Sequence, residues 1–234
     1  MKKITLTIAS VLLLMNVSKA QDDKAFHKGT MNVDLGIGFS VYGTKTHEEY
    51  DSQVWNVTTG SINTVRTKKD TTDAAAATII PVNFEYGLTD WFGLGARLGY
   101  SKYVAHADST NNNTKPTVRG LDAGLLLNFH LVKGKHFDMP ICLSVGYSNF
   151  NYKTNDAIGS KGKDNGFNYG IELVPRIYFG KHVGMFFNIG YMGYTYPSVQ
   201  FSNDNDSNLN DNNNWKFKLK GNGFNIGLGV VGKF

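Results

Sequence analysis

Alternation of apolar residues with small or polar residues is the main pattern along this chain. It is clearest over residues 31–42, where every second position is apolar from Met31 to Val41. Side chains of a strand point to its two faces in turn, so this pattern predicts a β-strand with one apolar face. The same pattern predicts strands over residues 80–86, 92–103, 119–131, 137–147, 167–179, 183–194 and 224–234.

The lengths of the connections predict how these eight strands are joined. The links after the second, fourth and sixth strands are three to five residues long, which suits tight turns between antiparallel neighbours. The other links are long and rich in Asn, Asp, Thr, Ser and Lys, which is typical of surface loops. These predicted loops cover Gly43 to Ala77, Val104 to Val118, Phe150 to Gly166 and Pro197 to Asn214.

The chemistry of the two strand faces predicts what surrounds the sheet. A soluble barrel of the lipocalin type would bury its apolar face and expose polar residues. Here the apolar face carries no charge across most strands, while the other face is too polar and too rich in glycine for a dry core. The expected fold is therefore all-β: an eight-stranded antiparallel transmembrane β-barrel with short periplasmic turns and long extracellular loops, in the outer membrane.

The first residues predict export. Met1 to Lys3 are basic, Ile4 to Val17 form an apolar stretch, and Ser18 to Ala20 suit signal-peptide cleavage. We expect a signal peptide over residues 1–20, a short periplasmic segment over 21–29 and the barrel over 30–234. Without the leader lysines the formal charge of +5 falls to about +2, so nucleic acid is not an expected partner.

Two segments carry a resemblance to a known family. They are the turn sequence from Tyr86 to Gly95, and the C-terminal Phe234 with Ile226, Leu228 and Val230 at alternate positions before it. With them the chain resembles the small OmpA/OmpX-type outer-membrane β-barrel family of Gram-negative bacteria. The resemblance implies that these four C-terminal residues are the insertion signal read by the barrel-insertion machinery, and that outer-membrane lipid and lipopolysaccharide are partners.

Charged residues on the inward face are the candidate site inside the barrel. Two interpretations stay open, a polar channel with exchangeable ion pairs or a salt-bridged plug, and the plug is favoured because eight strands leave room for little more than side chains. By parity, Lys233 also points inward. The predicted interior polar network is Asp34, Glu85, Arg97, Asp122, Asp138, Glu172 and Arg176.

Two features lie near the last long loop. Lys216, Lys218 and Lys220 alternate with apolar residues, and clustered ammonium groups beside an anionic surface suit lipopolysaccharide phosphates, although a solvated strand extension is an equal alternative. The parity slips before Phe224, which predicts a β-bulge at residues 221–223. Residues 204–211 resemble the start of a calcium loop but lack its glycine and closing glutamate, so a solvated loop is favoured.

Nothing in the sequence predicts a cofactor, a metal site or a catalytic centre. His106, Asp108 and Ser109 are the nearest approach to hydrolase chemistry, but neighbours on one loop do not define such a site. Cys142 is expected to be a small buried residue. We therefore expect a non-enzymatic barrel with a structural or interaction role, binding a protein partner at its loops or wall, or acting as an accessory subunit. The alternatives are a narrow passive pore and a lipid A-modifying enzyme.

Overall fold

A computed structural model describes residues 24–104, 116–154, 160–202 and 215–234. They form antiparallel strands, listed here in chain order: β1 (Met31–Asn56), β2 (Ser61–Gly87), β3 (Phe92–Val104), β4 (Thr117–Lys133), β5 (Phe137–Lys153), β6 (Lys161–Leu173), β7 (Arg176–Tyr178), β8 (Val183–Tyr196), β9 (Gln200–Ser202) and β10 (Lys216–Lys233). None of the described residues forms a helix long and apolar enough to cross a membrane.

The sheet closes on itself. Each long strand pairs with its neighbour in the chain, and β10 pairs with both β8 and β1. β6 and β7 occupy one position in the ring, because both pair with β5 and with β8. Among the described residues the ring therefore has eight positions, and the predicted eight-stranded antiparallel barrel is confirmed.

The last residue helps to seal the ring. The Phe234 amide donates to the Met31 carbonyl at 2.8 Å, and the Met31 amide donates to the Phe234 carbonyl at 2.9 Å. From this junction β1 and β10 stay paired as far as Glu49 opposite Lys216. Closure leaves no free edge at this seam, which a hydrocarbon surrounding requires because it offers backbone groups no other partner.

The outer wall carries an uncharged apolar belt. Leu35, Ile37 and Phe39 on β1 project outward, as do Ile226, Leu228 and Val230 on β10, and all are exposed to the surroundings of the barrel. An outer surface of this kind is stable in hydrocarbon and not in water. The barrel therefore spans a membrane with its polar face inward, as the sequence predicts.

The connections place three tight turns at one end of the barrel, here called the turn end. They join β2 to β3, β4 to β5, and β7 to β8. At the opposite end, the loop end, β1 and β2 run on together far beyond the belt. Asn56 pairs with Ser61, and the Asn56 side chain accepts hydrogen bonds from Thr58 and Thr59 to shape the tip. Gly60 follows with a φ of +62°, a conformation that glycine adopts without strain.

Three expectations about strand boundaries are wrong. Residues 43–77 are not an irregular loop: residues 43–56 continue β1, residues 61–77 belong to β2, and a turn over residues 57–60 joins them; this unit is here called the hairpin arm. The sixth strand does not run unbroken over residues 167–179, because it is interrupted between Leu173 and Arg176 at Val174-Pro175, and proline cannot donate to a ladder. Strands β4, β5 and β10 also extend beyond their predicted ends.

The β-bulge expected at residues 221–223 is also absent. Gly221, Asn222 and Gly223 pair one to one with Thr44, Gly43 and Tyr42. The side chains keep their alternation, and the surroundings change instead: even-numbered residues face hydrocarbon from Phe224 onward and face water before it. A register irregularity lies elsewhere, between His130 and Val132 on β4.

The apolar belt predicts a large penalty for an outward charge. We expect Leu228→Arg to lower the free energy of unfolding by about 2–4 kcal/mol, because position 228 lies near the middle of the belt on β10. Urea unfolding of the protein in lipid vesicles measures this value. Lys218→Arg, on the same face of β10 but beyond the belt, is the matched control and should change stability by less than about 0.5 kcal/mol. Equal effects of the two substitutions would mean that Leu228 does not face hydrocarbon.

Candidate functional site

Arg176 is the centre of an ionic cluster near the turn end. Its Nη2 lies 2.9 Å from Asp34 Oδ2, and its Nη1 lies 2.6 Å from Glu85 Oε2 and 3.4 Å from Asp138 Oδ2. All four side chains are buried. The ring of strands brings these residues together from β1, β2, β5 and β7, although up to 142 positions separate them in sequence. A single guanidinium thus neutralises part of the charge of three carboxylates.

His130 extends this cluster. Its Nε2 lies 2.6 Å from Glu85 Oε1 and its Nδ1 lies 2.7 Å from Asp138 Oδ1. An ionised carboxylate can only accept hydrogen bonds, so with both carboxylates ionised each ring nitrogen donates and the ring is a cation. The sequence places His130 on the inward face of β4 but does not predict its partners. The lower ionic cluster is therefore Asp34, Glu85, His130, Asp138 and Arg176.

The N-terminal segment closes the barrel beneath this cluster. Phe26 is fully buried, and its ring stacks on the His130 ring with centroids 3.3 Å apart and planes 8° from parallel. Backbone hydrogen bonds join Ala25 to Gly134 and Gly29 to Gly87, and the Lys28 amide donates to Asp90. The segment before β1 therefore forms a plug that reaches from the turns into the lumen.

Gly87 shows how closely this plug fits. A Cβ atom at this position would lie 2.5 Å from the His27 carbonyl oxygen and 3.0 Å from the Phe26 ring. Any larger residue would displace the segment, since real Cβ atoms do not approach backbone oxygens so closely. Lys233 adds a tie from the other side, because its Nζ donates to the Lys24 carbonyl at 3.1 Å and lies over the Tyr178 ring.

A second ion pair fills the middle of the lumen. Arg97 on β3 contacts Glu172 on β6 through two atom pairs, with Nη1 to Oε2 at 2.5 Å and Nη2 to Oε1 at 3.3 Å. Asn188 and Asn225 both donate to Glu172 Oε1. This carboxylate is thus bonded from three strands, β3, β8 and β10. Together with the lower ionic cluster and the plug, this pair fills the lumen with buried side chains that contact one another.

Asp122 differs from the other predicted network residues. Its Oδ1 accepts from Ser148 at 2.5 Å and from Asn168 at 3.3 Å, and its Oδ2 accepts from Tyr194 at 3.3 Å. All three donors are neutral. Within the described ranges no cationic side chain lies within salt-bridge distance of Asp122, so its charge is uncompensated by direct contact. It lies closer to the loop end than the Arg97–Glu172 pair.

The predicted lysine stripe, Lys216, Lys218 and Lys220, lies on the outward face of β10 beyond the belt. Phe217 and Leu219 between these lysines point inward and pack on aromatic residues at the loop end. Lys220 pairs with Lys45 across the strands. Two like charges placed directly opposite each other repel, and the part of the chain that the structure describes places no carboxylate in contact with either.

The hairpin arm has an ionic row of its own. His47 lies 2.5 Å from Asp70 and 3.1 Å from Glu49, and Glu49 also contacts Arg66 and Lys68. The hydrogen bond to Asp70, followed by that to Glu49, raises the pKa of His47 above 6.5. The hydrogen bonds from His47, Arg66 and Lys68 lower the pKa of Glu49 to about 2. These groups are exposed, so water and salt weaken each contact.

The end of the arm is apolar and exposed. Val57 is 86% exposed, Ile62 is 60% exposed and Trp55 is 59% exposed. Trp55 and Ile62 are directly paired across the strands, and Val57 is in the turn next to them. These three residues are called the arm tip below. Unlike the belt residues, they lie far beyond the membrane-facing wall, at the end of a polar arm.

Several candidates from the sequence have a simple placement. Cys142 is buried with Val174, Tyr178 and Phe186, and it is a free thiol. Within the described ranges no group of three or more His, Cys, Asp or Glu side chains is arranged to hold a metal ion. The predicted signal peptide, residues 204–211 and the group His106, Asp108 and Ser109 lie outside the described residues.

The barrel is similar to solved outer-membrane barrels. The outer membrane protein OprG from Pseudomonas aeruginosa is 15% identical, with 89% of this chain and 97% of OprG aligned and a TM-score of 0.53. The chain has the fold of an outer-membrane barrel protein. This similarity confirms, at the level of the fold, the resemblance to small OmpA/OmpX-type barrels, and the belt agrees with the expected location in the outer membrane.

Two more distant matches were found. The protease OmpT from Escherichia coli is 11% identical, with 90% of this chain and 98% of OmpT aligned and a TM-score of 0.42. The N-terminal barrel domain of Pseudomonas aeruginosa OprF is 16% identical, with 89% of this chain and 99% of that domain aligned and a TM-score of 0.39. No family model and no curated protein sequence matches this chain.

Removal of the Arg176 charge should be costly. Arg176→Met leaves Asp34, Glu85 and Asp138 crowded in the lumen, and breaking a buried ion pair from one side costs about 3–5 kcal/mol. Urea unfolding in lipid vesicles measures the change. Arg66→Met on the exposed arm is the matched control and should cost much less, because water screens its ion pairs. A loss no larger than that of the control would show that the lower ionic cluster contributes nothing to barrel stability.

The arm should respond to pH in two directions. The His47 contacts stabilise the arm below pH 6.5 and are lost as the pH rises through the raised pKa of His47. The Glu49 contacts stabilise it above pH 4.5 and are lost as the pH falls towards 2. All contacts coexist between these limits, from pH 4.5 to 6.5. An NMR titration should place the His47 midpoint above 6.5, and Asp70→Asn should lower it. A midpoint below 6.5 in the native chain would contradict the ion-pair geometry.

Proposed function

We propose that this protein is a closed outer-membrane barrel that works through its outer surface, with the hairpin arm as the element that binds a protein partner. The observation that carries the proposal is the exposed arm tip. Beyond the pairing of Glu49 with Lys216, β1 pairs only with β2 among the described residues, over residues 50–56. At about 3.3 Å per residue this extends the tip by roughly 20 Å.

The chemistry of the arm supports partner binding. Its strands are mostly polar, with Thr, Ser, Asn and Lys over residues 61–73, while Trp55, Val57 and Ile62 are apolar and concentrated at the end. An apolar patch surrounded by polar residues is typical of protein interaction sites, and tryptophan is enriched among the residues that contribute most to binding. Polar strands deliver this patch into water, where it is accessible to a partner.

The lysine stripe supports a second contact, with the phosphates of lipopolysaccharide. Lys220 lies four residues above Phe224, whose side chain belongs to the outer belt. Four residues correspond to roughly 13 Å along the strand, a distance that supports contact between these ammonium groups and anionic headgroups. A phosphate between Lys45 and Lys220 would relieve the repulsion between these paired cations.

The filled lumen favours this surface role over the narrow passive pore. The lower ionic cluster, the Arg97–Glu172 pair and Phe26 occupy successive levels of the interior. Nor does the arrangement of described residues supply a nucleophile beside His130, whose ring nitrogens both face carboxylates.

We also retain the C-terminal residues Ile226, Leu228, Val230 and Phe234 as the signal for the barrel-insertion machinery during assembly.

Site-specific photo-crosslinking in intact cells tests the role of the arm. A photoreactive residue at Val57 should yield an adduct of defined mass, while one at Leu88, in an exposed turn at the opposite end, should not yield that adduct. Trp55→Ser and Ile62→Ser should each reduce the yield about tenfold, as expected for central binding residues. Thr64→Ala, on the same strand as Ile62, is the matched control and should leave the yield unchanged.

Two results would contradict the proposal. An adduct that forms equally from positions 57 and 88 would indicate nonspecific capture. Barrels with normal assembly that form no adduct from position 57 would show that the arm tip meets no protein partner in the cell.

A further inference from the structure

A chamber opens at the loop end of the barrel, above the filled part of the lumen. Its volume is about 540 Å³, within the range of small-molecule sites. Aromatic side chains from four strands line it: Tyr42 on β1, Tyr103 on β3, Phe150 on β5, and Tyr194 and Tyr196 on β8. These five residues are called the tyrosine chamber. Neither the surface role proposed above nor the lumen ion pairs uses it.

The rings of the chamber pack against one another and form a continuous aromatic wall. Tyr42 and Tyr194 meet edge to face, with centroids 5.6 Å apart and planes at 84°. Tyr196 lies parallel to Tyr194 at 6.3 Å, and Tyr103 lies 6.2 Å from Tyr42. Aromatic faces carry partial negative charge, so a wall of such rings attracts a cation that approaches it from the chamber.

The charge beneath the chamber is also negative, like the partial charge of the aromatic faces. The Tyr194 hydroxyl donates to Asp122, and the Tyr196 hydroxyl bonds to Ser148, which in turn donates to Asp122. These bonds hold two walls of the chamber upright over a carboxylate that no described cation contacts. Asp73 is the carboxylate in the chamber lining itself, and none of the described lysine, arginine or histidine residues lines the chamber.

The Tyr42 hydroxyl is a buried polar group whose hydrogen bonding is incomplete. Its side chain is buried, and its hydroxyl makes no hydrogen bond of good geometry among the described residues, although the hydroxyl groups of Ser40 and Tyr194 lie beside it. A buried polar group without a partner is costly in a folded protein. The hydroxyl belongs to a residue that lines the chamber, so a ligand with a polar group could supply the missing contact.

We propose that the tyrosine chamber binds a small organic cation of the alkylammonium class, with the aromatic wall against the charged head and the negative charge supplied by Asp73 in the lining and Asp122 beneath the tyrosines. Size and charge both support this class. The chamber is large enough for a trimethylammonium group, and Asp73 and several aromatic side chains line it. Asp122 lies beneath two of these tyrosines, and no cation among the described residues lines the chamber. An anion would meet repulsion from Asp122 and Asp73.

Calorimetric titration with two matched probes tests the proposal. Choline carries the charge, and 3,3-dimethylbutan-1-ol has nearly the same shape without it. The purified full-length chain should be held in a maltoside detergent, because phosphocholine detergents would compete. We expect choline to bind at least about tenfold more tightly than the neutral probe. Equal binding of the two probes, or no binding of choline, would overturn the proposal.

Variants locate the binding site. Asp122→Asn preserves the size of the side chain and removes its charge, and should weaken choline binding about tenfold while the neutral probe is unaffected. Asp73 is exposed, so Asp73→Asn should not affect folding, and it should weaken choline binding by a smaller factor. Asp90→Asn, in a turn at the opposite end, is the matched control. Unchanged choline binding in both Asp122→Asn and Asp73→Asn barrels, with folding verified by circular dichroism, would also overturn the proposal.

Discussion

Closure of the sheet is the constraint on which the rest of the structure depends. A strand in hydrocarbon has no solvent to satisfy its backbone, so every amide and carbonyl must find a partner within the sheet. The pairing of β1 with β10, which ends at the hydrogen bonds between Met31 and Phe234, provides this for the seam. Once the sheet is closed, the apolar faces must project outward and the polar faces must share a narrow interior.

That narrow interior explains the ionic clusters. Eight strands bring inward side chains from opposite walls into contact, so charged residues have to be neutralised by one another. Arg176 contacts Asp34, Glu85 and Asp138, and His130 contacts Glu85 and Asp138. Arg97 pairs with Glu172. Phe26 then covers the His130 ring from below. The interior is a packed core made of polar groups, and function is directed to the surfaces that remain, the hairpin arm and the chamber at the loop end.

The boundary between hydrocarbon and water runs across single strands. On β10 the outward residues change from Leu228 and Phe224 to Lys220 and Lys218, while the inward residues change from Asn225 to Leu219 and Phe217. The strand keeps its geometry along its whole length. The outward face changes from apolar to polar, and the inward face changes from polar to apolar. Above the membrane the barrel is therefore organised as in a soluble protein, with aromatic residues inside, which is why the tyrosine chamber can form there.

Local periodicity determined the strands, their outward faces and the eight-membered ring, because alternation depends only on neighbouring residues and on the solvent that each face meets. It also identified the inward charges. The tertiary structure alone decided that residues 43–77 continue as paired strands, since a polar arm in water has no apolar face to mark it. It also decided that His130 joins Glu85 and Asp138, that Phe26 enters the lumen, and that no described cation contacts Asp122. Those contacts join residues far apart in sequence, and their geometry follows from the shear and closure of the whole barrel.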